Sequence, residues 1–424
     1  MKVMAFNARP DERAFFDHFS QSLDMDLTLQ KDTLTLDNVA LTRGYDGISC
    51  TCDLPAPILE KLAENGVRYV ALRTIGYDNV DLKAAERLGI RVSHAGYSPY
   101  AVSNYTVMLM LMCIRKAGYI MFRSHTADYS LGASGAARGM EMQNLTVGVI
   151  GTGRIGKAVI HNLSGFGCRI IAHDPYPSEE MKQMGVEYVS LESLYAQSDV
   201  ITLHTFLNDS TYHMINTEAI QQMKPGVVII NCARGALIDT RALIDGIESG
   251  RVGSVGVDCF EGEDGVIRVD HNYNGRVTNH DYIILKSFQN TIVTPHVAFF
   301  TDQAVFDMVQ CSLESLHQFE LGEKVPLEVH AARSVTDLRH LRKIPLQIRS
   351  KRANALRAEP SERLHIDIPA ALCVLDVQQA HACVLADLPP LAGRDQCNTH
   401  AARQQSNLQG RAVALDSGVH LHTC

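Results

Sequence analysis

One stretch, residues 144–176 (NLTVGVIGTGRIGKAVIHNLSGFGCRIIAHDPY), limits the possible folds of this chain more than any other. It opens with Val147-Gly148-Val149-Ile150, an apolar run of the kind that a strand buried on both faces needs. Gly151-x-Gly153-x-x-Gly156 follows at once, and Ile155, Val159 and Leu163 then recur at helical spacing. A second apolar run, 169–172, ends on His173-Asp174. Strand, glycine turn, helix, strand and acid in that order form a dinucleotide-binding fingerprint, which a glycine pattern alone does not. Gly151 permits the tight turn, Gly153 lets the backbone approach a pyrophosphate, and Gly156 lets the helix pack on the strand. The N–H groups at the helix start, around Arg154 and Ile155, are free for phosphate oxygens. Asp174 lies roughly 20 residues on, where a carboxylate accepts ribose hydroxyls. It would repel a 2′-phosphate, and Pro175-Tyr176 brings no cation, so the cofactor expected is NAD, not NADP.

The rest of the chain supports the α/β class that this unit implies. Strand-like runs at 2–6, 25–29, 46–51, 69–73 and 92–94 alternate with helical patterns at 57–65 and 82–88. Residues 1–99 thus read as a smaller α/β domain without a phosphate turn. Pro99 opens a single long helix over 100–123, rich in Met108, Met110 and Met112, which is a buried connecting helix and not a methionine cofactor site. Residues 126–143 read as an extended arm. Further strands at 187–189, 200–204, 227–231, 254–258 and 292–295 give about seven parallel strands, enough for a doubly wound coenzyme domain over 100–299. The stretch 265–281 reads as a long loop, and a helix over 302–321 should return to complete the first domain with 300–330. Residues 331–424 lose periodicity. His381-x-Cys383 and His420-x-His422-x-Cys424 lie there without C-x-x-C spacing, so the segment reads as an extension of unknown role, poorly ordered, and not as a zinc site.

Bulk properties narrow the partners. A net charge of −8 argues against nucleic acid and acidic membranes. Eleven cysteines without C-x-x-C pairs suit reduced thiols in the cytoplasm. The opening MKVMAFNARPDER has too short an apolar run for a signal peptide, and 107–114 is too short for a membrane span.

Three stretches can carry chemistry: Asn231-Cys-Ala-Arg-Gly235, Asp258-Cys-Phe-Glu-Gly-Glu263 and Thr294-Pro-His296. Each falls at the carboxyl end of an expected strand, where doubly wound sheets bind ligands. They supply Arg234, Glu263 and His296. Reduction of a 2-oxo acid needs a cation for the carboxylate, a proton source for the oxygen and a group that tunes it. Taken singly, Arg234 reads as a helix-start residue, Glu263 as a solvated acid and His296 as a satisfied core histidine. Together, behind a dinucleotide fingerprint, they read as a catalytic set.

These stretches, with Arg73-Thr-Ile-Gly-Tyr-Asp-Asn-Val-Asp81, Ala95-Gly-Tyr-Ser-Pro99 and the run to Phe300, make residues 1 to about 330 resemble the NAD-dependent D-2-hydroxyacid dehydrogenases, especially their D-lactate dehydrogenase branch. The resemblance implies His296 as acid/base, Glu263 as its partner and Arg234 as the carboxylate clamp. It implies Ile75 and Gly76 N–H groups as a second grip on the carboxylate and Tyr97 in the cleft. It places Asp258 near the nicotinamide and Asp174 on the ribose, and it implies a homodimer formed through the coenzyme domain and its arm. Two departures stand out. Leu203-His204-Thr205 is followed by Phe206 where the family often has proline, beside the cofactor. Thr51, between Cys50 and Cys52, stands near the place where lactate-type members carry a bulky residue. With Phe299 and Phe300 as an apolar wall, this favours a 2-oxo acid larger than pyruvate, such as phenylpyruvate. No metal is expected. The competing readings are another enzyme of the same scaffold, such as phosphoglycerate or formate dehydrogenase, and an NAD-sensing binding protein resembling the C-terminal-binding corepressors.

Overall fold

The computed structural model describes residues 1–131, 135, 137–267 and 269–331, with Tyr273 and Asn274 described by backbone alone. The 332–424 extension with its His/Cys pairs, and parts of the arm including Gly132, lie outside these residues.

Two sheets account for the strands. The first is built by β1 (Lys2–Ala5), β2 (Asp26–Leu29), β3 (Gly47–Cys50), β4 (Tyr69–Leu72) and β5 (Arg91–Ser93). The second is built by β6 (Thr146–Ile150), β7 (Arg169–His173), β8 (Glu187–Tyr188), β9 (Val200–Leu203), β10 (Val227–Asn231), β11 (Val252–Val257) and β12 (Thr291–Val293), in the order β12-β11-β10-β9-β6-β7-β8 and parallel throughout. A further strand, β13 (Glu328–Val329), joins the first sheet antiparallel to β5, giving β13-β5-β4-β3-β1-β2. Two residues carry no readable period, so β13 is not visible in the sequence.

Within β10 the pleat divides its side chains between two cores. Val228 and Ile230 pack with Val147 and Val149, while Val227 and Ile229 pack with Ile201 and Leu203. Both faces are covered, the first by the helix Tyr100–Ile114 and the second by helices that include Thr240–Glu248. The helix Asp302–Glu320 packs on β4 and β3 through Val309, Leu313 and Leu316, and its Ser312 hydroxyl pairs with that of Ser49 at 2.6 Å.

Two expectations are corrected. The single helix over 100–123 is two helices, Tyr100–Ile114 and Ala117–His125, bent by 68°. Lys116 takes a left-handed φ of 56°, and the Ile114 carbonyl accepts the Met140 N–H (2.9 Å), so the arm takes an acceptor that a continuing helix would need. The stretch 265–281 is not all loop: Asp270 and Asn279 are N-caps, of His271–Asn274 and His280–Ser287. No single helix among the described residues is long and apolar enough to cross a membrane.

Candidate active site

The strand order of the second sheet reverses between β6 and β9, and the glycine turn sits there. Gly151 has φ 91°, and a Cβ on it would stand 2.5 Å from the His204 carbonyl oxygen, so chain direction and close approach both demand glycine. A Cβ on Gly156 would overlap the Gly151 carbonyl, which fixes the helix against the turn. A Cβ on Gly153 would meet nothing within 4 Å, as expected of a position kept bare for a ligand. Lys157 donates to the Gly153 carbonyl (3.0 Å) and starts the helical ladder, so the N–H groups ahead of it point out of the N-terminus. Ile155 turns its side chain into the core, leaving its backbone to that terminus.

At the tip of β7, Asp174 accepts the Thr152 N–H (2.7 Å) and hydroxyl (3.0 Å) and the Tyr176 N–H (2.7 Å). Its carboxylate is thereby locked beside the glycine turn. Glycine cradle, helix terminus and acid together fit a dinucleotide. His204 bonds Thr202 (2.9 Å), and desolvation holds its pKa down at about 3, so it is neutral. Phe206 is half exposed, in the position where the family proline would stand. Arg154 reaches the other sheet's side of the chain, donating to the Tyr97 carbonyl at 3.0 Å.

The three catalytic candidates follow β10, β11 and β12, which are neighbours in the sheet. His296 Nδ1 lies 2.8 Å from Glu263 Oε2, while Glu263 Oε1 accepts the Phe260 N–H at 2.9 Å. Both carboxylate oxygens are committed, the Nδ1–H tautomer is favoured, and Nε2 is left for a substrate. The loop carrying Glu263 is held from two sides. Asn279 donates to the Glu261 and Gly262 carbonyls (3.2 and 2.9 Å), and His213 Nε2 meets Glu261 at 2.9 Å. Neither Asn279 nor His213 is signalled in the sequence.

Arg234 crosses to the loop after β4. Its Nε bonds Asp78 (3.1 and 3.3 Å), its Nη1 bonds the Ala233 carbonyl (2.9 Å), and its Nη2 lies where a Cβ on Gly76 would be. The two-bond fork expected of Arg234 is therefore already shared with Asp78, a partner the sequence reading missed. The N–H groups of Ile75 and Gly76 donate no hydrogen bond among the described residues, and Arg234 Nη2 packs against Gly76 beside them. Behind them Arg73, fully buried, bonds Glu12, Ser49 and the Phe6 and Asn7 carbonyls and fixes the start of that loop.

Asp258 is fully buried, and its carboxylate accepts Thr294 Oγ1 (2.5 Å), Val297 N–H (3.0 Å) and Ala298 N–H (2.8 Å). It staples the turn in which His296 adopts φ 55°, a conformation rare outside glycine. Both its oxygens serve that turn. Tyr97, buried, has its hydroxyl pKa pushed up to about 12 by burial, within the fields of Arg234, Cys259, Arg154 and Asp258. Its ring stands 6.4 Å from that of Phe299, and Phe300 is half exposed under the Arg9 guanidinium, 5.2 Å from its centroid. Thr51 is half-buried at the carboxyl end of β3, beside the Arg73 loop.

Known proteins resemble this chain in sequence and fold. Residues 107–298 match the family described as D-isomer specific 2-hydroxyacid dehydrogenase, NAD binding domain. The chain is 43% identical over 328 residues to an aromatic 2-oxoacid reductase of Clostridium sporogenes, covering 76% of this chain and 97% of that protein. It is 36% identical over 332 residues to a D-lactate dehydrogenase of Escherichia coli, covering 78% and 100%. A solved D-2-hydroxyisocaproate dehydrogenase matches with TM-score 0.69 at 35% identity, over 78% of this chain and 99% of that one. The apo D-lactate dehydrogenase of Escherichia coli gives 0.68 at 35%, over 78% and 100%. Matched over nearly the whole length of these relatives, with an NAD cradle in its second sheet, the chain belongs to the D-isomer specific 2-hydroxyacid dehydrogenase family of NAD-binding oxidoreductases.

Proposed function

We infer that the protein reduces a bulky, aromatic 2-oxo acid to its D-2-hydroxy acid. The observation that carries the reading is the Glu263 tether on His296 Nδ1, which leaves Nε2 outside that bond, on the loop that follows the strand next to the one Arg234 and Glu263 flank. The reduced cofactor, NADH, when bound would supply the hydride. Arg234 and the Ile75 and Gly76 N–H groups hold the substrate carboxylate. His296 gives the proton to the ketone oxygen from Nε2, and Glu263 stabilises the imidazolium that precedes transfer. Gly151, Gly153, Gly156, Arg154, Asp174 and His204 serve the cofactor. Residues 1–99 with 300–330 form the substrate side and 100–299 the coenzyme side, closing on each other to exclude water.

Support for an aromatic side chain comes from the Tyr97–Phe299 ring pair, from the short side chain of Thr51 after β3, and from the likeness to an aromatic 2-oxoacid reductase. A homodimer is supported by Ile120, Met121, Phe122, Tyr129 and Leu131, which stand exposed together on the second half of the bent helix pair and the arm.

The test follows NADH oxidation with pyruvate, phenylpyruvate and 2-oxoisocaproate. We expect kcat/KM for phenylpyruvate to exceed that for pyruvate by about tenfold or more, the scale set by apolar side-chain contacts. Preference for pyruvate would overturn the substrate assignment. Tight NADH binding with no turnover would instead favour an NAD-sensing binding protein.

A further inference from the structure

We propose that the catalytic cleft is also a binding site for a thiophilic divalent cation, of which Zn2+ is the natural probe, held by Cys259 Sγ, a Glu263 carboxylate oxygen and a His296 ring nitrogen. One ligand atom from each of these residues lies within 4.8 Å of the others. The donors are sulfur, oxygen and imidazole nitrogen, the set that zinc takes and that magnesium and calcium do not. Zinc bonds of about 2.0–2.3 Å would set tetrahedral donors roughly 3.3–3.6 Å apart, so donors within 4.8 Å of one another need to close by about 1.5 Å at most. Rotation about side-chain bonds supplies that. The spacing 259, 263, 296 matches no zinc motif, which is why the sequence reading places no metal here.

The surroundings favour a cation. Cys259 is 2% exposed, and its thiol makes no hydrogen bond among the described residues. The Glu263 and Asp258 carboxylates act on it, and a dication offsets their negative field. On binding, the sulfur–hydrogen bond breaks, a sulfur–zinc bond forms from the same electron pair, and the proton leaves to solvent. The ring nitrogen and Glu263 coordinate through lone pairs, and water fills the fourth position. No oxidant is involved.

The consequence is reversible inhibition. A metal on the imidazole stops it cycling a proton, and a metal on Glu263 removes its tether. This consequence rests on His296 being the acid/base, whereas the binding itself does not.

The experiment uses the full chain, stripped with a chelator, in wild-type, Cys259→Ala and Cys259→Ser forms. Zn2+ is titrated against NADH-dependent reduction, and Cd2+ is titrated while the sulfur-to-cadmium charge-transfer absorbance is read. Subtracting the variant spectrum cancels the thiols of 332–424. Expected is chelator-reversible inhibition of the wild type, with a midpoint about tenfold or more lower than in either variant, and one charge-transfer band present only in the wild type. Cys259→Ser keeps the volume should alanine loosen the fold. Equal midpoints in all three proteins, or identical cadmium spectra, overturn the proposal. A wild-type-specific band in a protein that turns over no 2-oxo acid would uphold the site and refute the catalytic reading.

Discussion

The replacement Asp258→Asn separates two roles for one carboxylate: cofactor contact, as the sequence reading had it, and staple of the His296 turn, as the hydrogen bonds have it. The wild-type group accepts three bonds, from Thr294 Oγ1 and Val297 N–H on one oxygen and from Ala298 N–H on the other. An amide keeps one acceptor oxygen and turns an NH2 toward a donor. Whichever way it faces, at least one buried N–H is left without a partner. A hydrogen bond to a charged group is worth about 1.5–3 kcal/mol, and a buried unsatisfied donor costs about 1–3 kcal/mol. The two overlap, so the net loss is about 2–4 kcal/mol. It falls on a turn that already holds His296 at φ 55°, where non-glycine backbone costs of order 1–3 kcal/mol. The turn should relax and carry the imidazole away from Glu263. Displacement of about 1 Å costs on the order of a hundredfold in rate. We therefore expect kcat to fall about a hundredfold, Tm to fall by a few degrees, and the Kd for NADH to change by less than about threefold. Stopped-flow kinetics, calorimetry and fluorescence titration of NADH would read these. Loss of NADH binding with kcat preserved at saturation would refute the staple and restore the cofactor role.

The glycine turn can be dissected similarly. Gly156→Ala would overlap the Gly151 carbonyl and should lower both Tm and NADH affinity, whereas Gly153→Ala meets no protein atom and should weaken NADH with Tm unchanged; equal Tm losses in calorimetry would contradict the assignment. Glu12→Gln leaves the fully buried Arg73 without its ion partner and should cost about 3–5 kcal/mol in urea denaturation; a loss under about 1 kcal/mol would show that the carbonyls and Ser49 suffice. His94 has its pKa held down at about 4 by burial, its Nε2 without a partner, so it is neutral when folded. As pH falls below the ordinary 6.5, the unfolded chain takes up a proton that the native state refuses, and stability drops by about 2 kcal/mol between neutrality and pH 5. His94→Leu should flatten that part of the stability–pH curve, and an unchanged slope would refute it.

What the sequence shows depends on how local the cause is. The coenzyme sheet is legible because each of its strands is a short apolar run beside a turn signal, and the fingerprint's glycines act within six residues of one another. Arg234, Glu263 and His296 are legible as candidates because each lies within about six residues of the end of a strand, and chemistry narrows their types. Their partners are not. Asp78 and Arg234 are separated by 156 positions, and Asn279 reaches back 18 to Glu261, so the pairings exist only once two sheets and a capped helix are placed. The long-helix reading of 100–123 failed for the same reason, since the arm that intercepts the Ile114 carbonyl lies at Met140. Asp258 shows a subtler limit: its bonds to Thr294, Val297 and Ala298 span 36 to 40 positions, so its part in the His296 turn is not visible in the sequence.

The Asp78 contact also revises why arginine is needed at 234. A clamp for a carboxylate alone would present the Nε and one Nη as a pair of parallel donors. Here Nε is bound to Asp78 and Nη1 to the backbone of Ala233, so the guanidinium is fixed in direction before any substrate arrives. Nη2 thus stands against Gly76, where the guanidinium occupies the volume a Cβ would need. On the proposed reading a substrate carboxylate would meet one oriented Nη2 together with backbone N–H groups, at little cost in protein freedom. Lysine at this position would have one ammonium to divide between Asp78 and the substrate, with no plane to fix its direction. Three differently directed donors on one rigid plane would let the proposed clamp be held and still bind.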